Sequence, residues 1–441
     1  MEPVLAVTRR DALPPIETLV RDLEDVERRL NLNFNEIMRS DRHLGRAFVT
    51  GAWYARSLYG QSADYEQTMD VVLRLAQFFE GQMKRWRPRA IIAPSSSVST
   101  TTLLQVAHAY GAPWRGFVQS RISTRFFWSD TVDCLPLEFH TALADRLAKP
   151  VSDGTPISLA APTPAQAYFR SMWGHAGIKG VLRGWYGTLR HKLPHRLRPG
   201  RRNYGNYLIL DELWAVARRA WRLRRGLRQD GINPPLSEGQ PYVLFPLQVE
   251  PETSLMAEAP MAANQLAAVD LLARTMPAGW RLVVKEHPAA LGTRPNGFDR
   301  RILGYPNANL AAARSDVDAL ADGARCVAVI NGTVGVQAAV RGVPVITFHP
   351  NYIVRHLPHV QFADSYRSLR QALCRLRDGD LPDYEARVAA GSAVYQTMFD
   401  LSFEIDEPRL VLNDKSLAAP SAAALDRIID TLLSSLDPPR P

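Results

Sequence analysis

The stretch that most constrains the fold runs from Cys326 to Phe348 and contains three parts. The apolar runs at its two ends, 326–330 and 343–348, are typical of buried parallel strands. Between them, Asn331-Gly332-Thr333 has the composition of a tight turn, and residues 334–341 have the apolar spacing of a helix that stops at a glycine. This order of elements predicts one strand–turn–helix–strand unit of an α/β domain.

The turn of this unit is suited to an anion. Thr333 is expected at or near the N-terminus of the helix, where backbone N–H groups and the helix dipole favour a negative charge, most often a phosphate. Alternatively, Gly332 and Gly335 only allow close packing of the helix, as in many α/β domains. The unit alone leaves both interpretations open.

Length and charge limit the classes of protein and partner. The 441 residues predict two or more domains, and the net charge of +9 favours an anionic partner such as nucleic acid, a phosphorylated metabolite or an acidic membrane surface. Three widely separated cysteines suggest neither a disulfide framework nor a cysteine zinc site. We see no signal-peptide pattern and no apolar run long enough to span a bilayer, so we expect a cytoplasmic protein, soluble or peripheral on the inner face of the cytoplasmic membrane.

Strand and helix signals alternate in two separate regions. We therefore predict an α/β fold with two α/β domains, the second built on a parallel, doubly wound sheet, and a basic helical insertion between them. The boundaries are 1–150 for the N-terminal domain, 151–238 for the insertion or linker, 239–375 for the C-terminal domain and 376–441 for a helical tail.

The insertion combines many basic side chains with tryptophans and tyrosines. Trp173, Trp185, Tyr186, Trp214 and Trp221 are interleaved with them. This composition favours a surface that rests on anionic lipid headgroups. A solvated helical linker is the alternative, and RNA binding is a weaker one because no RNA-binding motif is present.

Three turns follow predicted strands of the C-terminal domain and should lie along one edge of its sheet. They offer a carboxylate pair, a histidine beside a lysine, and a helix N-terminus. Such groups suit a substrate with a phosphate and a sugar, because they can stabilise charge on a departing phosphate. The turns are Gln248-Val249-Glu250-Pro251-Glu252, Lys285-Glu286-His287-Pro288 and Asn331-Gly332-Thr333.

In combination, the segments 242–248, 282–288, 330–335 and 342–346 resemble the bacterial capsule polysaccharide synthesis family. The resemblance is fainter in the first domain and absent from the insertion. It implies a GT-B-like glycosyltransferase, with two Rossmann-like domains facing across a cleft. It also implies sugar transfer from a nucleotide-activated donor, CMP-Kdo in some relatives, to a polysaccharide or lipid-linked acceptor. No nucleic acid, metal or cofactor is expected.

The resemblance also implies roles for individual residues. Glu252 would be the nucleophile, with Glu250 as a rival. His287 would take part in catalysis at the nucleotide phosphate, and Lys285 would support the leaving group. Glu252 stands where relatives have aspartate, and Gln337 stands where many have glutamate. The donor nucleotide would be bound by Gln248, His287, Pro288, Asn331, Gly332, Thr333, Val334 and Gln337.

Arginines and one aspartate of the first domain are candidate acceptor contacts, because a guanidinium group matches carboxylates and phosphates. They are Asp41, Arg42, Arg121 and Arg125. Surface or interdomain salt bridges are the alternative for each. Two other functions fit the same fold: a phosphotransferase of teichoic-acid type that uses a CDP-linked polyol, and a non-catalytic subunit of polysaccharide assembly.

Overall fold

The computed structural model of the protein describes residues 8, 10–39, 65–93, 97–120, 122, 124–130, 135–148, 173–197, 209–250, 252, 255, 259, 264–294, 297–405 and 421–436. Its strands are β1 (Ile91–Ile92), β2 (Trp114–Gln119), β3 (Arg125–Ser129), β4 (Ile232–Asn233), β5 (Tyr242–Pro246), β6 (Arg281–Lys285), β7 (Ala308–Ala311), β8 (Cys326–Val329), β9 (Val345–Thr347), β10 (Val360–Phe362) and β11 (Phe403–Glu404). Its helices are α1 (Ile16–Leu30), α2 (Phe34–Arg39), α3 (Tyr65–Trp86), α4 (Val98–Ala109), α5 (Phe139–Leu147), α6 (Ile178–Leu197), α7 (Ile209–Gly226), α8 (Gln265–Thr275), α9 (Phe298–Leu303), α10 (Val317–Asp322), α11 (Thr333–Val340), α12 (Tyr366–Arg377), α13 (Tyr384–Asp400) and α14 (Ala422–Leu436).

The larger sheet has seven strands in the order β10-β9-β8-β5-β6-β7-β4. All neighbours are parallel except β4, which runs antiparallel to β7 at the edge. From β5 the chain builds outward through β6 and β7, and then returns to the other side of β5 to form β8 and β9. The carboxyl ends of β5 and β8 therefore form the topological switch point, where open parallel sheets bind their ligands.

Both faces of this sheet are buried, which explains why its strands are almost wholly apolar. Val243 and Phe245 of β5 point into one core, with α8 and α12. Leu244 lies between them in sequence and points into the opposite core, with α11 and α13. The expected α/β class with a parallel sheet is confirmed. Gly342 follows α11 with φ +78°, as expected for a glycine that ends a helix.

The smaller sheet has four strands in the order β1-β2-β3-β11. β1 and β2 are parallel, whereas β2 and β3, and β3 and β11, are antiparallel. Helices α1, α3 and α4 pack beside it around a separate core that includes Leu19, Val72 and Trp114. Within the described residues, only the first pair of strands has the parallel arrangement predicted for this region.

In its described part, the predicted C-terminal tail 376–441 contains helices α13 and α14 and the strand β11. The boundary at 375/376 falls inside α12, and β11 adds a strand to the smaller sheet by pairing with β3. On α14, Ser435 accepts hydrogen bonds from Arg115, and Thr431 accepts one from Trp128. These long-range contacts carry no signal in a local sequence pattern.

The described part of the insertion contains two packed helices, α6 and α7, which we call the basic hairpin. The indole N–H of Trp185 on α6 donates to the carbonyl of Leu213 on α7 at 2.8 Å. The helices approach closely at Gly184, where an added Cβ would lie 2.7 Å from Val216. The two helices thus form one structural unit.

Candidate functional site

The ends of β5 and β8 are joined by a buried pair of amide side chains. The side-chain NH₂ of Gln248, two residues beyond β5, donates to Oδ1 of Asn331 at 2.8 Å. Both residues are buried, and the Oε1 atom of Gln248 has no hydrogen-bond partner. A Cβ added at Gly332 would lie 3.0 Å from the Gln248 side-chain nitrogen, so a glycine permits this approach. The structure therefore brings the first and third predicted turns together at the switch point of the sheet.

Arg294 links these residues to the second turn. Its guanidinium group donates to both carboxylate oxygens of Glu286 at 2.9 Å and to the backbone carbonyl of Gln248 at 2.6 Å. It also lies 3.4 Å from the carboxylate of Glu250. Because Arg294 is only 7% exposed, it is held at the centre of this network rather than at its edge. Sequence reasoning missed this residue, since it follows no strand directly and belongs to no periodic pattern.

Glu286 in turn fixes the position of His287 by accepting its backbone N–H at 2.7 Å. The Nδ1 atom of His287 accepts the N–H of Ala289 at 3.1 Å, so the neutral ring carries its proton on Nε2. The residue is exposed, yet surrounding protein desolvates the cationic ring and lowers the pKa of His287. An exposed Nε2–H on a preset ring is a suitable donor to a phosphate oxygen.

The third turn leads directly into α11, which begins at Thr333. Gly332 precedes the helix and has no side chain to cap it. The hydroxyl of Tyr352 donates to the carbonyl of Gly332 at 2.5 Å, which fixes the turn from the opposite side. Thr333 is exposed, Val334 is half-buried, and Gln337 is half-buried about one turn further along. The start of α11 thus presents backbone N–H groups at the same edge as His287 and Pro288.

The two candidate carboxylates differ in their surroundings. Glu250 is buried, accepts a hydrogen bond from Gln265, and faces Arg294. Burial raises the pKa of Glu250, while the positive charge of Arg294 opposes that rise. These contacts make it a structural residue of the network. Glu252 is half-buried and lies two residues further from the strand, so it stays our candidate nucleophile.

Gln265 is a second residue that sequence reasoning missed. Its side-chain oxygen accepts the backbone N–H of Gln248 at 2.6 Å, and its NH₂ group donates to the carbonyl of Gln248 at 3.0 Å. Since Gln265 begins α8, it fastens that helix to the end of β5. Both backbone groups of Gln248 are satisfied in this way, and its side chain is aimed at Asn331.

Lys285 has a different position from the one expected for a leaving-group cation. Its ammonium group is buried and donates to the carbonyl of Ala313 at 3.0 Å, which joins the ends of β6 and β7. Burial lowers the pKa of Lys285, with Glu286 and Asp316 opposing. We therefore do not include Lys285 among the groups that would contact a substrate.

A second His-Pro turn follows β9, and sequence reasoning overlooked it. The Nδ1 atom of His349 accepts the N–H of Asn351 at 2.8 Å, which repeats the geometry of His287. The repeated His-Pro dipeptide after a strand is the signal by which it could have been found. His349 is buried, however, so its contribution is to shape the loop that carries Tyr352.

Of the predicted acceptor residues, Asp41, Arg42 and Arg121 lie outside the described residues. Arg125 is described and contacts the returning tail: it donates to the hydroxyl of Ser402 and the carbonyl of Phe399, both at 2.9 Å. Its guanidinium carbon lies 4.0 Å from the centroid of the Phe399 ring. These contacts hold Arg125 against the tail, and its role in acceptor binding stays a prediction.

Helix α7 packs directly against the loop that carries Arg294. Its Arg222 donates to the carbonyl of Arg294. At Gly292 an added Cβ would lie 2.9 Å from the carbonyl oxygen of Arg219, and at Gly226 it would lie 2.5 Å from Leu291. Leu291 forms a small buried cluster with Ala176, Leu223, Leu227 and Ala313. The basic hairpin thus packs along one side of the loop 288–294.

The described residues show neither a membrane-spanning helix nor a metal site. They contain no helix long and apolar enough to cross a membrane. Nor do they contain a group of three or more His, Cys, Asp or Glu side chains placed to hold a metal ion.

Comparison with known proteins gives a family match that covers part of the chain, including the strand-end turns. A family model described as "Capsule polysaccharide biosynthesis protein" matches residues 187–357. This range includes α7, all three turns and α11. No curated protein matches the chain.

Solved structures with similar folds have low sequence identity. The KpsC beta-Kdo 2,7 transferase of Thermosulfurimonas dismutans is 12% identical, with a TM-score of 0.34 over 71% of this chain and 80% of that one. The UDP-GlcNAc 2-epimerase of Neisseria meningitidis, solved with UDP-GlcNAc, is 11% identical, with a TM-score of 0.28 over 86% and 87%. The glycosyltransferase SnogD of Streptomyces nogalater is 12% identical, with a TM-score of 0.26 over 86% and 80%. At these scores we base no argument on them.

Proposed function

We propose, on the basis of the match of residues 187–357 to the capsule polysaccharide biosynthesis family model, that the protein is a glycosyltransferase of capsule or cell-surface polysaccharide synthesis. It would transfer a sugar from a nucleotide-activated donor to a polysaccharide or lipid-linked acceptor. The donor sugar is proposed to be Kdo, carried by CMP. A GT-B-like arrangement would place the acceptor on the side of the smaller sheet.

One observation carries this proposal: the three strand-end turns form a single connected network at the switch point. Asn331 contacts Gln248, Gln248 contacts Arg294, and Arg294 holds the glutamate that fixes His287. Parallel sheets bind nucleotides at this position. The network presets both the His287 ring and the start of α11.

In the proposed complex, these two elements contact the donor phosphate from opposite sides. His287 would donate its Nε2–H, and the first amides of α11, with the hydroxyl of Thr333, would donate from the other side. As the bond to the sugar breaks, negative charge grows on the phosphate, and preset donors stabilise it without reorganisation. Glu252 would act at the anomeric carbon, either as the nucleophile or by stabilising positive charge there. Gln337 would form a hydrogen bond with a ribose hydroxyl.

We also propose that the protein works at the inner face of the cytoplasmic membrane, because lipid-linked acceptors are presented there and the insertion is basic. Nucleic acid is not among the proposed partners. No metal is assigned a step, because the donors named above are all protein groups.

A panel of cytidine- and uridine-linked sugars and polyols, scored by product mass, tests the function. We expect transfer of a sugar from one of them, and a decrease of about a hundredfold or more in the His287→Ala variant. His108→Ala is the matched control, since His108 is exposed on α4.

The same panel separates the alternatives. Transfer of a polyol phosphate would show that the protein is a phosphotransferase and not a glycosyltransferase. Nucleotide binding without turnover of any donor would indicate a non-catalytic assembly subunit. Full activity of the His287→Ala variant would overturn the site assignment.

A further inference from the structure

Helix α6 exposes a continuous apolar face. Its exposed large side chains recur at intervals of three, four and seven residues, so they lie on one side of the helix. Ile178 is 79% exposed. The other residues of this face are Leu182, Trp185, Tyr186, Leu189 and Leu193.

Helix α7 continues this exposed surface. Leu210, Trp214 and Trp221 are spaced four and seven residues apart on one side, and the two tryptophans are 65% and 63% exposed. The indole of Trp185 donates to the carbonyl of Leu213, the residue before Trp214, so the faces of the two helices adjoin. Single exposed apolar residues are common, but nine of them on the adjoining faces of two packed helices mark an interaction surface. We call these nine residues the apolar face of the basic hairpin.

The charge of the hairpin indicates what this face contacts. α6 contains five Lys or Arg residues and no Asp or Glu. α7 contains five Arg residues, against Asp211 and Glu212. Basic side chains beside exposed Trp, Tyr and Leu are the composition of helices that lie in the interface of an anionic bilayer, where indole rings occupy the headgroup level. Neither helix is apolar enough to cross the bilayer, so an in-plane position is the one that fits.

The opposite side of α7 is fastened to the proposed donor site. Leu223 of α7 and Leu227, just beyond its end, pack on Leu291, and Arg222 donates to the carbonyl of Arg294. Gly292 allows the loop to approach the backbone of α7. If the protein adsorbs to a membrane through the exposed side of α7, the His287 loop is therefore held at a fixed distance from that membrane.

We propose that the apolar face of the basic hairpin inserts into the interface of an anionic lipid bilayer, and that this places the donor site next to a bilayer-embedded, lipid-linked acceptor. The choice of acceptor rests on the proposed function; the insertion does not. Binding has two parts, which are attraction of the basic residues to anionic headgroups and burial of the aromatic rings.

Flotation with vesicles tests the insertion without any sugar donor. We expect the full-length protein to float with vesicles of phosphatidylglycerol and phosphatidylcholine, and less with phosphatidylcholine alone. High salt should weaken binding without abolishing it, because the apolar part is not screened. Brominated lipids should quench the tryptophan fluorescence of the bound protein.

The matched variants distinguish insertion from surface charge. Trp214→Ser/Trp221→Ser should lower the vesicle partition coefficient at least about tenfold and remove most of the quenching. Trp86→Ser is the control, since Trp86 is 66% exposed on α3 and lies outside the hairpin. Because both indole rings are exposed in the unmodified protein, the double variant should fold normally, which circular dichroism can check.

Several results would overturn the proposal. One is absence of flotation with anionic vesicles, and another is equal flotation of the double variant. A dimer in solution that dissociates in the double variant would assign the face to a second copy of the chain. If the protein floats with anionic vesicles but transfers no sugar from any donor of the panel, the proposed function is overturned and the insertion is not.

Discussion

Replacing Arg294 by methionine removes the cation at the centre of the network while keeping the volume of the side chain. The change leaves Glu286 without the two hydrogen bonds from Arg294 and Glu250 without a facing positive charge. Both carboxylates are largely excluded from solvent, at 14% and 5% side-chain exposure. The variant therefore tests whether this network holds the strand ends together.

The expected loss of stability is large. Removing one partner of a buried ion pair costs about 3–5 kcal/mol, because the remaining charge is buried and uncompensated. For domains of roughly 150–250 residues, each kcal/mol lowers Tm by about 2–4 °C, so a drop of about 6 °C or more is expected. Arg301→Met is the control, because Arg301 is exposed on α9.

The deficit should also depend on pH. The pKa of Glu250 is raised by burial, so its folded-state pKa lies above the unfolded value. Such a carboxyl group weakens the fold as pH rises through the folded pKa, and the penalty is absent below the unfolded pKa. Without Arg294 the pKa of Glu250 should rise further. The difference in Tm between Arg294→Met and the parent should therefore shrink as pH falls from about 8 to about 5.

Thermal unfolding followed by circular dichroism at several pH values measures both effects. Adding Glu250→Gln to the Arg294→Met variant should restore part of the lost stability, because a neutral amide replaces the stranded charge. A drop in Tm no greater than that of Arg301→Met, or one independent of pH, would refute the reasoning.

Three further predictions concern the turn and the chemistry. Gly335→Ala should cost about 1–3 kcal/mol by thermal unfolding, since the added Cβ would lie 2.5 Å from the Tyr352 hydroxyl and 2.6 Å from Val329; stability equal to that of Gly187→Ala, where nothing lies within 4 Å, would contradict this. Thr333→Val should weaken nucleotide binding about tenfold in calorimetry, and unchanged affinity would remove the hydroxyl from the site. EDTA should leave sugar transfer intact, and strict dependence on Mg²⁺ would contradict a mechanism that relies on protein donors.

Much of the larger sheet was predictable from the sequence, because buried parallel strands are short apolar runs bounded by turns. The predicted strands at 326–330 and 343–348 and the predicted helix at 334–341 correspond to β8, β9 and α11. The meeting of the three turns also follows from the sequence, since the carboxyl ends of parallel strands share one edge. The resemblance to capsule synthesis proteins is confirmed by the family match to residues 187–357.

Other features depend on contacts between residues far apart in sequence. Nothing near Arg294 shows that it bonds Gln248, 46 positions earlier. The pairing of β11 with β3 joins residues almost 280 positions apart, so no local pattern predicts that part of the tail joins the smaller sheet. The composition of the insertion predicted basic and aromatic helices, but only the structure separates the side that packs on the 288–294 loop from the side that is exposed.

A crystal structure with CMP bound tests the central claim most directly. We expect the phosphate within hydrogen-bond distance of the His287 ring and of the first amides of α11, with the nucleotide at the ends of β5 and β8. A nucleotide bound elsewhere, or one that leaves His287 and Thr333 without contact, would contradict the account.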